Sequence, residues 1–196
     1  MVKLVIGLLG EIGGGKTVLA NFLKNKHGAC SISSGQIVRN ELASEGLEVT
    51  REACQRRGGE KGREDKGYWV RKIISAIEDS GSEIGIFDGT RFPHDVSLLR
   101  EYFGDNYIAI HVTADQRVRY GRLVARGRKD APASFEDFVK QEEGEYAQFS
   151  FDTTKGLADI RFENTANFDI NNGEGLYQEF IGFLRDVAKV DYNFES

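Results

Sequence analysis

Leu4-Val5-Ile6-Gly7-Leu8-Leu9 runs directly into Gly10-Glu11-Ile12-Gly13-Gly14-Gly15-Lys16-Thr17. The first six residues lack polar/apolar alternation, the pattern of a strand covered on both faces. The next eight satisfy Gly-x-x-x-x-Gly-Lys-[Ser/Thr], the Walker A pattern. Glycines let the backbone curl so that its N–H groups point inward at phosphate oxygens. Lys16 is expected to reach the β- and γ-phosphates of a nucleotide, and the Thr17 hydroxyl to bind Mg²⁺. Gly10, Gly13, Gly14, Gly15, Lys16, Thr17 and Val18 form the expected ATP phosphate-binding set. Val18 to Leu23 continues as a helix, whose N-terminus favours an anion. A dinucleotide site is disfavoured, because no Gly-x-Gly-x-x-Gly opens this helix.

Outward from this loop, four further short apolar runs read as buried strands: 29–32, 84–87, 108–112 and 159–162. Helical stripes lie between them. Val70, Ile73, Ile74 and Ile77 follow the i, i+3, i+4, i+7 rule. Val96, Leu99 and Phe103 make another, and Leu176, Phe180, Phe183, Leu184 and Val187 a third. Ser134 and Asp137 predict a capped helix start at Phe135. Strands alternating with helices predict an α/β fold with a mostly parallel sheet, whose ligands sit beyond the carboxyl ends of the strands.

The chain has 196 residues and a net charge of -5. That length fits one domain over 1–196. The charge is uneven. Residues 51–72 and 115–130 each carry +4, which leaves -13 on the other 158. An acidic body excludes a general nucleic-acid coat, while basic islands suit small anions or are simply solvated helix faces. Two cysteines and three scattered histidines supply no disulfide framework and no metal-ligand spacing. No apolar run approaches a membrane span. A reduced, cytoplasmic protein is the default expectation.

Other candidates follow the strands. Asp88 is the expected second Mg²⁺ partner, or else a turn cap, and Gly89 allows close backbone approach beside Arg91. Ser34 and Gly35 precede Arg39, which is one helical turn further on and, taken alone, reads as a surface helix residue. Arg119, Arg122, Arg126 and Arg128 crowd one island, with Arg122 and Arg126 at i, i+4. A bound polyphosphate would turn that repulsion into attraction. Gly127 and Pro132 mark a flexible segment able to act as a lid.

These residues resemble the P-loop nucleoside monophosphate kinase superfamily, and adenylate kinases most clearly. Ile32-Ser33-Ser34-Gly35-Gln36-Ile37-Val38-Arg39 is similar to the family's I-S-T-G-D-x-x-R, whose Arg grips the acceptor phosphate. Phe87-Asp88-Gly89-Thr90-Arg91 is similar to D-G-F-P-R, and Arg122-Leu123-Val124-Ala125-Arg126 to the R-I-V-G-R that opens the lid. Arg128-Lys129-Asp130 resembles the lid's R-x-D-D, and Asn164-Thr165-Ala166-Asn167 is placed like the adenine-contacting loop. The general look is closer to adenylate-kinase-related proteins often labelled dephospho-CoA kinase-like. Gln36 stands where the family has Asp, and Thr90 breaks the D-G-F-P-R wording.

The resemblance implies a P-loop NTPase three-layer α/β/α sandwich with strand order 2-3-1-4-5, a helical acceptor-binding insert over 34–80 and a short lid over 119–140. It implies Lys16, Asp88, Arg122, Arg126 and Arg128 in catalysis, with Thr17 and Asp88 on Mg²⁺. It also places Ser34, Gly35, Arg39, Arg57 and Arg91 on the acceptor, and Arg122, Asn164 and Ala166 on adenine. The expected activity is ATP-dependent phosphoryl transfer to a nucleoside monophosphate by a monomer or homodimer. Two alternatives stay open: a dephospho-CoA kinase with Asp88 as base, and a nucleotide-dependent switch or assembly ATPase. In the last, Tyr146, Phe149 and Phe151 offer a partner surface, although core packing is favoured for them.

Overall fold

The computed structural model describes residues 1–127, 132–165, 173–188 and 190–194. Five parallel strands form one sheet in the order β2-β3-β1-β4-β5. They are β1 (Leu4–Leu9), β2 (Cys30–Ile32), β3 (Ile84–Thr90), β4 (Tyr107–Thr113) and β5 (Ile160–Glu163). All six β1 residues are buried, because β1 is central and covered on both faces. Its side chains divide by the strand's period of two. Leu4, Ile6 and Leu8 face α1 (Lys16–His27) and α9 (Gly173–Gly182), packing on Leu19, Leu23, Leu176 and Phe180. Val5 and Leu9 face the opposite layer, α4 (Tyr68–Asp79) and α5 (Pro93–Phe103), and pack on Val70, Ile73, Ile77, Val96 and Leu99. This is the three-layer α/β/α sandwich.

Between β2 and β3 lie α2 (Ser34–Ser44), α3 (Arg51–Glu64) and α4. Although it contains Gly58, Gly59 and Gly62, α3 is a 14-residue helix. Gly in a helix costs about 1 kcal/mol relative to Ala. Local contacts offset that cost. The Thr50 hydroxyl caps the helix by accepting from Ala53 N–H at 3.1 Å, and the Trp69 indole N–H donates to the Gly58 carbonyl at 3.0 Å. A Cβ at Gly62 would lie 3.9 Å from that indole nitrogen, an ordinary packing contact.

After β4 come α6 (Gln116–Ala125), α7 (Phe135–Phe149) and α8 (Phe151–Gly156). Ser134 caps α7 as expected, accepting from Asp137 N–H at 3.1 Å. The C-terminal stripe holds through Leu184 and then fails. Residues Phe183–Val187 form a π-helical turn, whose wider spacing carries Val187 out of the stripe to 57% exposure.

Candidate functional site

The phosphate loop joins β1 to α1 at the carboxyl edge of the sheet. Gly10 has φ +146°, and a Cβ there would stand 2.0 Å from the Val112 carbonyl oxygen on β4. Gly15 has φ +106°, and its Cβ would stand 2.3 Å from Asn164 Nδ2. Both positions therefore require glycine by conformation and by space. Gly15 is also the N-cap of α1 and supplies no side-chain oxygen to its first N–H groups. Val18 N–H donates to the Gly15 carbonyl at 3.0 Å.

Lys16 folds back over the loop, its Nζ donating to the carbonyls of Gly10 (2.7 Å) and Glu11 (2.9 Å). Burial is the main reason its pKa falls from 10.5 to about 8; the Asp88 charge opposes the fall and the Arg91 charge adds to it. Across the loop, the Thr17 hydroxyl donates to Asp88 Oδ2 at 2.8 Å. A hydroxyl and a carboxylate brought together from residues 17 and 88 are hard oxygen donors of the kind Mg²⁺ takes, so the residues fit that ion.

The lowered lysine pKa sets a pH dependence. In the free protein the shift disfavours the ammonium form, so stability rises with pH between about 8 and 10.5. A polyphosphate beside Lys16 would restore its charge. Nucleotide binding above about pH 8 is therefore expected to take up a proton and to weaken as pH rises. Calorimetry at pH 8.5 in two buffers of different ionisation enthalpy checks this, and buffer-independent heats would refute it.

Two elements of the loop's support were not legible in the motif. Glu11 occupies a variable position of the pattern yet is 7% exposed. Its carboxylate accepts from His111 Nε2 at 3.2 Å and from the Tyr146 hydroxyl at 2.8 Å. Burial alone would raise its pKa, but the His111 and Tyr146 bonds hold it well below the carboxylate range. Lys155 Nζ in turn donates to the Tyr146 oxygen at 3.2 Å. The aromatic cluster is thus divided: Phe151 is buried, Tyr146 is a hydrogen-bond donor to the loop, and the Phe149 ring lies 4.8 Å below the Arg91 guanidinium.

The second support comes from α6. Arg119, a member of the basic lid island, and Arg122, expected in catalysis and on adenine, are 5% and 3% exposed. Arg119 donates to the carbonyls of Ala114 (2.9 Å) and Ile12 (3.4 Å) and pairs with Glu142 of α7. Arg122 donates to the carbonyls of Gly13 (3.2 Å) and Asn164 (2.6 Å). Stacking of Arg122 on a base requires an open guanidinium face, and here that face is covered. Its place is behind the loop, because i, i+3 spacing turns Arg119 and Arg122 to the same inner side of α6. Arg126, at the C-cap of α6, is exposed. Asn164 is 2% exposed and donates from Nδ2 to the Gly14 carbonyl at 2.9 Å. Arg128 and Ala166 lie outside the described residues.

On the acceptor side, Ser34 and Gly35 open α2 behind the Ser33 cap. The exposed Arg39 side chain reaches back along the helix: Nη2 donates to Gln36 Oε1 at 3.2 Å, and Nη1 would lie 3.4 Å from a Cβ at Gly35. Arg91 is exposed just beyond β3. Among the described residues, no carboxylate lies within ion-pair distance of Arg39 or Arg91. Arg57 differs. Its guanidinium is held by Glu45 and lies 3.8 Å from Glu41, so it is not available as expected for an acceptor anion. Lys72 also pairs with Glu41, Arg71 with Asp65 and Lys61 with Glu64. Much of the first island's charge is therefore compensated locally. Arg56 instead lines a surface cavity of about 280 Å³ with Leu42, Leu47, Glu48, Thr50 and Ala53.

The chain is similar to known proteins. The family described as AAA domain matches residues 6–148. A UPF0200 protein of Methanocaldococcus jannaschii is 31% identical over 199 residues, covering 98% of each chain. The shikimate kinase of Bacteroides thetaiotaomicron is similar in structure, with TM-score 0.61 and 19% identity over 93% of this chain and 98% of that one. Shikimate kinase from Acinetobacter baumannii in complex with shikimate follows at TM-score 0.60 and 13% identity, covering 92% of each. Among the described residues, no helix is long and apolar enough to cross a membrane. With its phosphate loop on a P-loop kinase fold, the chain belongs to the UPF0200 family and, over residues 6–148, to the AAA domain family.

Proposed function

We propose that this protein is an ATP-dependent phosphotransferase that moves the γ-phosphoryl group of ATP to a nucleoside monophosphate. The observation that carries the reading is the pair Arg39 and Arg91. Each is exposed, each follows a strand flanking the phosphate-loop strand or its neighbour, and neither has a carboxylate partner among the described residues. Two unpaired guanidiniums at that edge suit an acceptor phosphate, which planar bidentate donors bind well.

A phosphate oxygen of the acceptor attacks the γ-phosphorus, the bond to the β–γ bridging oxygen breaks, and ADP leaves with that electron pair. A phosphate is already nucleophilic at neutral pH, so the work is alignment and charge compensation. Lys16 leaves the Gly10 and Glu11 carbonyls to meet the β- and γ-oxygens. The N–H groups of Gly13, Gly15, Lys16 and Thr17 cradle the same phosphates. Thr17 and Asp88 would hold Mg²⁺, which when bound neutralises charge on the phosphate oxygens. Arg126, at the C-cap of α6, would offset charge on the transferring group; the same role expected of Arg128 falls outside the described residues. Arg119 and Arg122 fix the loop from behind as positioning residues, and the Asn164 segment borders the adenine.

An acceptor panel of nucleoside monophosphates and dephospho-CoA, read by coupled ADP release, tests the assignment. Acceptor-stimulated ADP release is expected with a monophosphate. Arg39→Ala is expected to raise the acceptor KM by roughly tenfold to a hundredfold, the range for a lost charge-assisted bond, while the ATP KM stays within about twofold. A change in ATP affinity alone would show that Arg39 is misassigned. ATP hydrolysis indifferent to every acceptor would overturn the kinase reading.

A further inference from the structure

A phosphate loop has to receive a polyanion, yet this one carries an anion of its own. Glu11 stays ionised, because the His111 and Tyr146 bonds outweigh its burial. Its charge is felt at the amine meant for the β- and γ-oxygens. Burial lowers the Lys16 pKa, and the charges of Asp88 and Glu11 act to raise it. A free carboxylate within that range would repel phosphate oxygens.

The carboxylate is not free. His111 of β4 spans both oxygens, 3.3 Å from Oε1 and 3.2 Å from Oε2. Tyr146 of α7 makes the shortest of these bonds, donating to Oε1 at 2.8 Å. The Tyr146 oxygen is backed in turn by Lys155, whose Nζ donates to it at 3.2 Å and lies 4.4 Å from the ring centroid. A cation donating to a phenol oxygen polarises its O–H and makes it a stronger donor.

The corner between α7 and α8 brings this backing into reach. Tyr146 and Lys155 are nine residues apart, about 13 Å along a straight helix. Ser150 breaks the helix between them. Its φ of 51° is the one positive value at a non-glycine among the described residues. Such backbone is uncommon outside glycine and persists where its surroundings hold it. Here Thr154, itself fully buried, donates to the Arg91 carbonyl at 2.9 Å and pins α8 to the end of β3. A helix corner, a cation and a phenol thus converge on one carboxylate.

We propose that Tyr146 is a positioning residue for the donor nucleotide: its hydroxyl, backed by Lys155, draws the Glu11 carboxylate away from the phosphates. This rests on the reading of the loop as the ATP phosphate site and needs no acceptor.

Calorimetry of the full chain with Mg²⁺ and a non-hydrolysable ATP analogue tests it. Tyr146→Phe removes only the hydroxyl. It is expected to weaken analogue binding about tenfold at low salt, and about threefold or less in about 0.5 M salt, where the repulsion is screened. Adding Glu11→Gln to Tyr146→Phe is expected to restore affinity to within about threefold of the parent, because the repelling charge is gone although the lost bond is not. A merely structural role gives the opposite result, since a second change in the same cluster loosens the loop further. Lys155→Met keeps the phenol and serves if Tyr146→Phe does not fold. It is expected to shift affinity the same way by about threefold, with the same rescue by Glu11→Gln. Affinity within about twofold of the parent in both single variants overturns the proposal. So does a loss that Glu11→Gln deepens or leaves in place. A parent that binds the analogue but releases ADP with no acceptor fails the acceptor reading alone. A parent that binds no analogue fails the loop reading, and this proposal with it.

Discussion

Lys16→Ala is expected to lower phosphoryl transfer by about a thousandfold or more, equivalent to roughly 4 kcal/mol of transition-state stabilisation. Lys16 is the one loop side chain whose charge would follow the phosphoryl group. Its two bonds in the free protein, to Gly10 and Glu11, stay within the loop. Removing it should therefore leave the sandwich intact, because burial already disfavours its charge in the fold. An unchanged denaturation midpoint with ADP release near background is the expected pair of results. Turnover within tenfold of the parent would sink the assignment of the loop.

Glu142→Ala is expected to destabilise the fold by about 3 kcal/mol or more, the usual result of stranding one member of a buried ion pair. Arg119 would then keep its charge at 5% exposure with only the Ala114 and Ile12 carbonyls to accept from it. Gln116, which donates to Glu142 Oε2 at 2.7 Å, would also lose its partner. Because Arg119 touches Ile12, nucleotide affinity should fall as well. Replacing both members by apolar residues, Arg119→Met with Glu142→Leu, should recover much of the stability but not the Ile12 contact. Urea titration of the two variants separates the terms, and a single-variant loss under about 1 kcal/mol would refute the pair's importance.

The sheet was legible because central parallel strands must be continuously apolar. Leu4–Leu9 matched its strand at both ends, and the other four runs came within a few residues of theirs. The loop was legible because its glycines and Lys16 have few alternative uses. The residues behind the loop were not. Glu11 fills a variable position, and its partner is distant in sequence. The one signal was an acidic side chain in a phosphate loop, which demands a nearby hydrogen-bond donor. That donor is His111, set beside Leu9 by the β1–β4 register. Arg119 and Arg122 misled for the opposite reason: a basic cluster reads as a grip for polyphosphate, or else as a solvated face, unless the carbonyls and the carboxylate of Glu142 that bury it are known. In α3 the helix was hidden by Gly58, Gly59 and Gly62, whose poor intrinsic propensity is overridden by Trp69 and the Thr50 cap.

The two outer strands have a bearing on how copies of this chain can associate. β2 has three residues and β5 four, against six or seven in the inner three. On β5, Arg161 and Glu163 are exposed and pair with each other at 2.5 Å. Edges this short and this charged offer a poor template for adding a foreign strand. The molecule is thereby guarded against sheet-to-sheet polymerisation, and any self-assembly must be built from its helical layers.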